Sequence, residues 1–260
     1  MKTRRTRRTL VKSHHDIYQD ASLYDAQNAT LTKDIRFYHQ LAQKQKGPVL
    51  ELGVGTGRVA LPIARDGISF TGLDASAAML SRARERLSEF KAHCRLVRGN
   101  YARFKVAGRF ALIFSAFNAL QHAYGWREML GVFQCARRHL KSGGIFAFDL
   151  FNPRYDWLKD SEKESHMRER FYDERSRQAC ELWETYDYDR ATQIKLCHWE
   201  YRWERGEIRR VELKIRVYFP EEILELLDRT GLRVTKRFGD FDGGSFNSIS
   251  PKQVLLCRTQ

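Results

Sequence analysis

The chain has 260 residues, 42% of them apolar, enough for one large α/β domain or for one domain with an insertion. Its 46 Lys and Arg outnumber 32 Asp and Glu, for a net charge of +14, and Lys2, Arg4, Arg5, Arg7, Arg8 and Lys12 crowd into the first twelve residues. There is no apolar run of about 18 residues, which excludes a membrane-spanning helix. The five cysteines are scattered and never in C-x-x-C spacing, which argues against a zinc site and for reduced thiols in a cytoplasm.

The basic arm has two readings: contact with nucleic acid or another anionic surface, or a solvated tail. Arg7-Arg8 hints at a twin-arginine export signal, but no apolar stretch follows it. Residues 13–28 are polar and carry Tyr18 and Tyr24. Leu31, Ile35 and Tyr38 recur at helical spacing, which predicts an amphipathic helix over about residues 30–45. Gly47-Pro48 ends it.

Val49, Leu50 and Leu52 then read as a short buried strand, and Gly53, Gly55 and Gly57 follow at every second position before a helical pattern begins. Glycines there allow unusual backbone dihedrals and close approach to a ligand, and the unpaired N–H groups of the next helix can face it. Glu51 adds a negative charge at the strand's carboxyl end. The dinucleotide fingerprint G-x-G-x-x-G/A fails at its sixth position, where Arg58 stands. Alone, the stretch is also compatible with a plain tight turn.

Ser69–Leu73 reads as the second strand. Asp74, 21 residues after Gly53, is placed either to accept hydrogen bonds from ribose hydroxyls or to cap a helix. Met79, Leu80, Ala83 and Leu87 mark the inner face of that helix. Cys94–Val97 is a third strand, ending in Gly99-Asn100-Tyr101. Phe110–Phe114 is an apolar run and so a buried fourth strand; it opens into Ser115-Ala116-Phe117-Asn118-Ala119-Leu120-Gln121-His122. In open α/β sheets ligands sit at the carboxyl ends of strands, so this segment is expected at the reaction centre. Trp126–Leu140 is a helix stopped by Lys141-Ser142-Gly143-Gly144, and Ile145–Leu150 is the fifth strand. Within about residues 165–219, the runs Cys180–Asp189, Thr192–Glu204 and Ile208–Phe219 alternate apolar with polar residues, which predicts antiparallel strands buried on one face. A helix from Pro220 carries Ile223, Leu224 and Leu227 and stops at Gly231. Leu232–Phe238 and Gln253–Leu256 are the last strands and flank a Gly- and Ser-rich loop.

The E-x-G-x-G-x-G spelling of Glu51–Gly57, Asp74, the Phe110–His122 segment and the L-K-x-G-G-x-F of Leu140–Phe146 together resemble class I S-adenosylmethionine-dependent methyltransferases, over about residues 13–260. The resemblance implies a Rossmann-like, doubly wound α/β fold, with six parallel strands and an antiparallel seventh, and an inserted antiparallel β-meander. It implies a basic arm and lid helix at 1–46 and a methyltransferase domain at 47–260, with 165–219 as the insert. S-adenosylmethionine is the implied cofactor, contacted by Glu51, Gly53, Val54, Gly55, Thr56, Gly57, Arg58, Asp74, Ala75, Met79, Asn100, Tyr101, Ala116 and Phe117. Met79 could equally be core. Asn100 stands where many members have Asp, and its side-chain amide can still accept a hydrogen bond.

Phe117–His122 resembles the matching segment of amino-sugar N-methyltransferases. That implies a His122 that orients or deprotonates the acceptor, although a histidine merely bonded at a helix start fits too. Asn118 would bind substrate or cap the turn. Tyr24, followed by Asp25, matches a pair often found in a lid over the cofactor; a surface loop packed by its aromatics is the other reading. In relatives the insert roofs the acceptor pocket or mediates a homodimer. The chain lacks the Asn/Asp-Pro-Pro-Tyr and Pro-Cys sequences of base methyltransferases. The expected function is in-line methyl transfer to N or O of a small molecule. RNA or protein methylation through the basic surface, a non-catalytic cofactor-binding regulatory protein and a nicotinamide dehydrogenase are the competing readings, in that order.

Overall fold

The computed structural model describes residues 10–11, 16–154, 158 and 161–260; the basic residues of the arm lie outside them. The chain gathers into two compact units: one joins the segment up to Thr30 with Tyr155–Ile215, the other joins Leu31–Arg154 with Arg216–Gln260.

In chain order the first elements are β1 (Leu10–Val11), a 3-10 turn at Asp16–Gln19, α1 (Ala21–Gln27) and α2 (Lys33–Gln45). The Asp20 carboxylate caps α1 by accepting from the Leu23 N–H. Then come β2 (Val49–Leu52), α3 (Ala60–Arg65), β3 (Phe70–Asp74), α4 (Ala77–Arg86), β4 (Cys94–Arg98) and β5 (Phe110–Ser115). After a 3-10 turn at Ala119–His122 follow α5 (Trp126–His139), β6 (Leu140–Phe151), β7 (Ser161–Asp173), β8 (Gln178–Asp189), β9 (Ile194–Trp203), β10 (Ile208–Arg216), α6 (Pro220–Asp228), β11 (Leu232–Phe238) and β12 (Lys252–Thr259).

The larger unit is built on a seven-stranded sheet of order β11-β12-β6-β5-β2-β3-β4. β2 pairs in parallel with both β3 and β5, and β12 runs antiparallel to both of its neighbours. This is the expected arrangement of six parallel strands and one reversed. Every residue of β2 is buried, as a central strand covered on both faces requires. Two apolar clusters hold the sheet. One includes Leu52, Ile113, Phe133, Phe146 and Leu227; the other includes Tyr38, Val49, Ile63 and Phe114. Tyr38 stacks on Phe114 with centroids 4.7 Å apart.

One expected boundary is corrected. α5 ends at His139, and Leu140 is already extended (φ −71°, ψ 140°). Lys141–Gly144 therefore belongs to β6 rather than to a helix stop, and it is absorbed where the β5–β6 register shifts between Phe110 and Leu112.

The smaller unit is a five-stranded sheet of order β1-β10-β9-β8-β7. The expected meander is present and longer than its sequence pattern suggested. β8 and β9 alternate buried with less buried residues along their length. β7 does not, because most of its side chains are exposed and no periodicity is imposed on them. Ile17 and Leu23 pack with Cys180, Leu182, Trp199, Tyr201 and Trp203 in one cluster. The polar segment around Tyr24 is thus a turn and a helix seated on this sheet, with Gln27 accepting from the Tyr201 hydroxyl at 2.7 Å.

Candidate active site

The glycine turn leaves β2 with φ of +78°, +54° and +77° at Gly53, Gly55 and Gly57, the left-handed region that favours glycine. Gly53 and Val54 donate to the Leu73 carbonyl at 2.8 and 3.0 Å. The Gly55 N–H donates to Asp74 Oδ2 at 2.8 Å and the Ser76 N–H to Asp74 Oδ1, also at 2.8 Å. Asp74 therefore fastens the turn to the start of α4, while each of its oxygens keeps lone-pair capacity. Burial raises its pKa, opposed by the backbone donors. Thr56 is buried, and Arg86 of α4 donates to its carbonyl and hydroxyl at 3.0 and 2.9 Å. A Cβ on Gly57 would meet Ala83 of α4 at 3.4 Å, so the close contact between turn and helix is made at Gly57, one position before Arg58.

Arg58 turns to α2 instead. Its guanidinium forms a fork on Asp34 at 3.1 and 2.5 Å, donates to the Leu31 carbonyl at 2.7 Å, and lies 5.2 Å from the Phe117 ring centroid. Glu51 is 2% exposed, and its Oε2 has no hydrogen-bond partner. Desolvation pushes its pKa well above the carboxylate range, against the pull of Arg58.

The other side of the site is the end of β5. Phe117 and Asn118 both take left-handed φ, +57° and +59°. Asn tolerates this conformation, but for Phe it is rare, and such outliers cost on the order of 1–3 kcal/mol each. Ala116 is buried, and Asn118 leads into the 3-10 turn that ends at His122. His122 is half-buried, with Nδ1 3.4 Å from the Tyr124 hydroxyl. Burial and Glu128 push the Tyr124 phenol up to about 12. The Tyr101 hydroxyl donates to the Ala119 carbonyl at 3.4 Å, which links the end of β4 to this turn.

The larger unit carries Glu51, Val54, Asp74, Ala75, Met79, Asn100, Tyr101 and Ala116–His122 at the carboxyl ends of its parallel strands and in the segments that follow them. Met79 is buried and Ala75 exposed. Asn100 is exposed, and its Oδ1 already accepts from the Ala102 N–H at 2.7 Å. Tyr24 belongs to the other unit, on α1, with its ring 6.1 Å from that of Tyr18.

Sequence reading missed Asp149. It is fully buried in β6, and its carboxylate accepts from the backbone of Phe117 and Asn118. The available signal was an acid inside the apolar run Ile145–Leu150, since a buried charge is rarely left without partners.

A family model described as a methyltransferase domain matches residues 49–144. Over these residues the chain is similar to methyltransferase domains, on a class I methyltransferase fold. Over 106 residues, 41% of this chain and 43% of the other, the chain is 28% identical to YqeM of Bacillus subtilis (strain 168). A Geobacillus sp. (strain WCH70) protein, GWCH70_2453, is 24% identical over 136 residues, 52% of this chain and 54% of that one. The match thus spans about half the length of these curated relatives. Among solved structures, the CcbJ methyltransferase from Streptomyces caelestis superposes with a TM-score of 0.80 at 28% identity, over 90% of this chain and 98% of that one. The sugar N-methyltransferase KedS8 from Streptoalloteichus shares the fold at a TM-score of 0.67 and 13% identity, over 100% of this chain and 98% of that one. So does CalS10, a SAM-bound amino pentose methyltransferase from Micromonospora echinaspora, at 0.63 and 17%, over 96% of this chain and 92% of that one.

A methyltransferase domain on this fold implies S-adenosylmethionine as its cofactor, and the residues present fit it. The orphaned Glu51 Oε2 beside the turn suits an ammonium group, and the spare lone pairs of Asp74 suit a ribose diol. A Cβ on Gly55 would meet nothing within 4 Å, so the turn faces open space there. Among the described residues no helix is long and apolar enough to cross a membrane.

Proposed function

We propose that the whole chain methylates a nitrogen of a small, amino-bearing acceptor of the sugar type. The observation that carries this reading is the strained Phe117–Asn118 corner at the carboxyl end of β5, which leads directly into His122. The likeness to KedS8, a sugar N-methyltransferase, and to CalS10, an amino pentose methyltransferase, supports the acceptor class.

The bound cofactor supplies a methyl group on a sulfonium that is already a good leaving group. The protein's part is then mostly positioning, which can account for roughly 7–11 kcal/mol of a barrier. Glu51 would hold the cofactor's ammonium and Asp74 its ribose, and the glycine turn would allow its close approach; Val54, Met79, Asn100 and Tyr101 would line the same cradle. Arg58 acts by holding Phe117 and α2 rather than by reaching the ligand. An alkylamine is mostly protonated near neutrality and must lose that proton before its lone pair can attack. His122 accepts it, a contribution on the order of 10²- to 10⁴-fold. Tyr24 is carried as a catalytic candidate on the resemblance alone. The five scattered cysteines, none in C-x-x-C spacing, fit a reducing compartment.

The test is a methyl-transfer assay on an amino sugar and on the analogue with a hydroxyl in place of the amine. Transfer to the amine alone, reduced about 100-fold in His122→Ala, is expected. Equal transfer to the hydroxyl analogue, or a rate indifferent to His122, would overturn the reading. An RNA acceptor would instead show steeply salt-dependent binding.

A further inference from the structure

We infer that Asp149 is a positioning residue for this reaction: with Lys252 as its counter-ion, it clamps Phe117 and Asn118 in the left-handed conformation that presents His122. The inference rests on the function proposed above.

The geometry leaves Asp149 no other task. Oδ1 accepts from the Tyr38 hydroxyl at 2.9 Å and the Phe117 N–H at 2.8 Å. Oδ2 accepts from the Asn118 N–H at 3.2 Å and from Lys252 Nζ at 2.7 Å. A carboxylate offers about four acceptor sites, and all are taken, so none remains for a substrate or cofactor. Lys252 also donates to Asn118 Oδ1 at 2.9 Å, closing a ring around the corner. The Asp149 side chain is 0% exposed and that of Lys252 14%, which makes each charge dependent on the other. Elements distant in sequence, α2, β5, β6 and β12, thus meet on one carboxylate. The corner is covered in turn by Arg58, whose guanidinium lies over Phe117.

Asparagine at 149 keeps the shape and breaks the logic. It has one acceptor oxygen, so its amide group must face either the Asn118 N–H and Lys252 or the Phe117 N–H and Tyr38. Either way a backbone N–H of the corner then opposes an amide N–H, whereas the Tyr38 hydroxyl can turn to accept and donate to the Ser115 carbonyl. Glycine at 118 relieves part of the need for a clamp, since it adopts positive φ without steric cost.

The experiment crosses Asp149→Asn with Asn118→Gly. It reads melting temperature, calorimetric affinity for S-adenosylhomocysteine, and kcat and KM for methyl transfer. Asp149→Asn is expected to lower kcat about 30- to 100-fold, the scale of a small misplacement of reacting groups. Affinity for the product and KM for the cofactor should stay within about threefold, as expected for a group that does not bind them. In the Asn118→Gly background the same substitution should cost less than half as much in melting temperature and in kcat. Equal losses in both backgrounds would mean that Asp149 merely satisfies a buried site, and a kcat within threefold of wild type would remove it from catalysis altogether; either overturns the inference. Should Asp149→Asn fail to fold, Tyr38→Phe withdraws one donor and leaves the charge pair intact. A kcat reduced about three- to tenfold, with product affinity kept, supports the clamp; an unchanged kcat overturns it. If the wild type methylates no amine, the proposed function falls, while the melting-temperature cycle still decides whether Asp149 holds the corner.

Discussion

Glu51 and Glu184 are buried to the same degree, 2% exposed each, yet they hold their protons in opposite ways. Glu184 lies in the inserted sheet and accepts from Arg168 at 2.6 Å, Lys195 at 3.2 Å and Trp199 Nε1 at 2.5 Å. Desolvation works against its ionised form, but Arg168 and Lys195 win and draw it down to about 2. Glu51 lies in the parallel sheet with an unpartnered oxygen, and desolvation pushes it up. Burial alone does not decide charge; the partners supplied on folding do. The inserted sheet satisfies its acid internally, whereas β2 leaves an oxygen of its acid without a partner.

The contrast breaks most visibly at Glu184. Glu184→Gln should cost about 3–5 kcal/mol, because it strips the partner from two cations, of which Lys195 is buried; urea melts would measure it. The folded pKa lies below the ordinary 4.5, so the carboxylate's contribution is complete above about pH 4.5 and fades as pH falls toward 2. The gap between variant and wild type should close over that window.

Asp74→Ala removes the anchor of the glycine turn and the proposed ribose acceptor. Calorimetry should show product affinity falling about 10- to 100-fold, the worth of one or two hydrogen bonds to a charged group. No change would separate Asp74 from the cofactor.

Glu51→Gln should act in the opposite sense on stability and on binding. Glu51's folded pKa lies above the ordinary 4.5, so the ligand-free protein loses stability as pH rises from about 4.5 toward the folded value. The variant should then melt about 2–4 °C higher at pH 7 while binding the product less tightly. A lower melting temperature at pH 7 would erase the contrast with Glu184. The smallest effect is expected at the exposed Arg229–Glu225 pair (63% and 60% exposed), where Arg229→Ala should change stability by less than about 0.5 kcal/mol.

The two sheets were not equally legible. The parallel sheet announces itself because β5 opens as an apolar run, β2 is apolar but for Glu51, and Gly53, Gly55 and Gly57 can be replaced only with strain. In the insert, β8 and β9 were readable because one face is buried and the other is not. β7 escaped because its Glu, Lys and Arg side chains mostly face water, so pairing alone places it. α1 escaped for a related reason: it has few apolar residues, and Leu23 becomes core only once the sheet beneath it exists. At the site, sequence spacing located the glycine turn and Asp74. It could not reveal that Phe117 and Asn118 adopt positive φ, since neither residue type demands it. Nor could it reveal that Asp149, 31 residues after Asn118, holds them there.

The smaller unit is assembled from the two sides of a long excursion. Gln27 meets Glu169 and Tyr201 across 142 and 174 positions, and Asp20 meets Arg209 across 189. A ribosome adding about 5–20 residues per second delivers the first helix roughly ten or more seconds before the strand that carries Arg209. During that interval Ile17 and Leu23 have no sheet to cover. A circularly permuted gene that opens between residues 30 and 31 and joins residue 260 to residue 1 should shorten the wait.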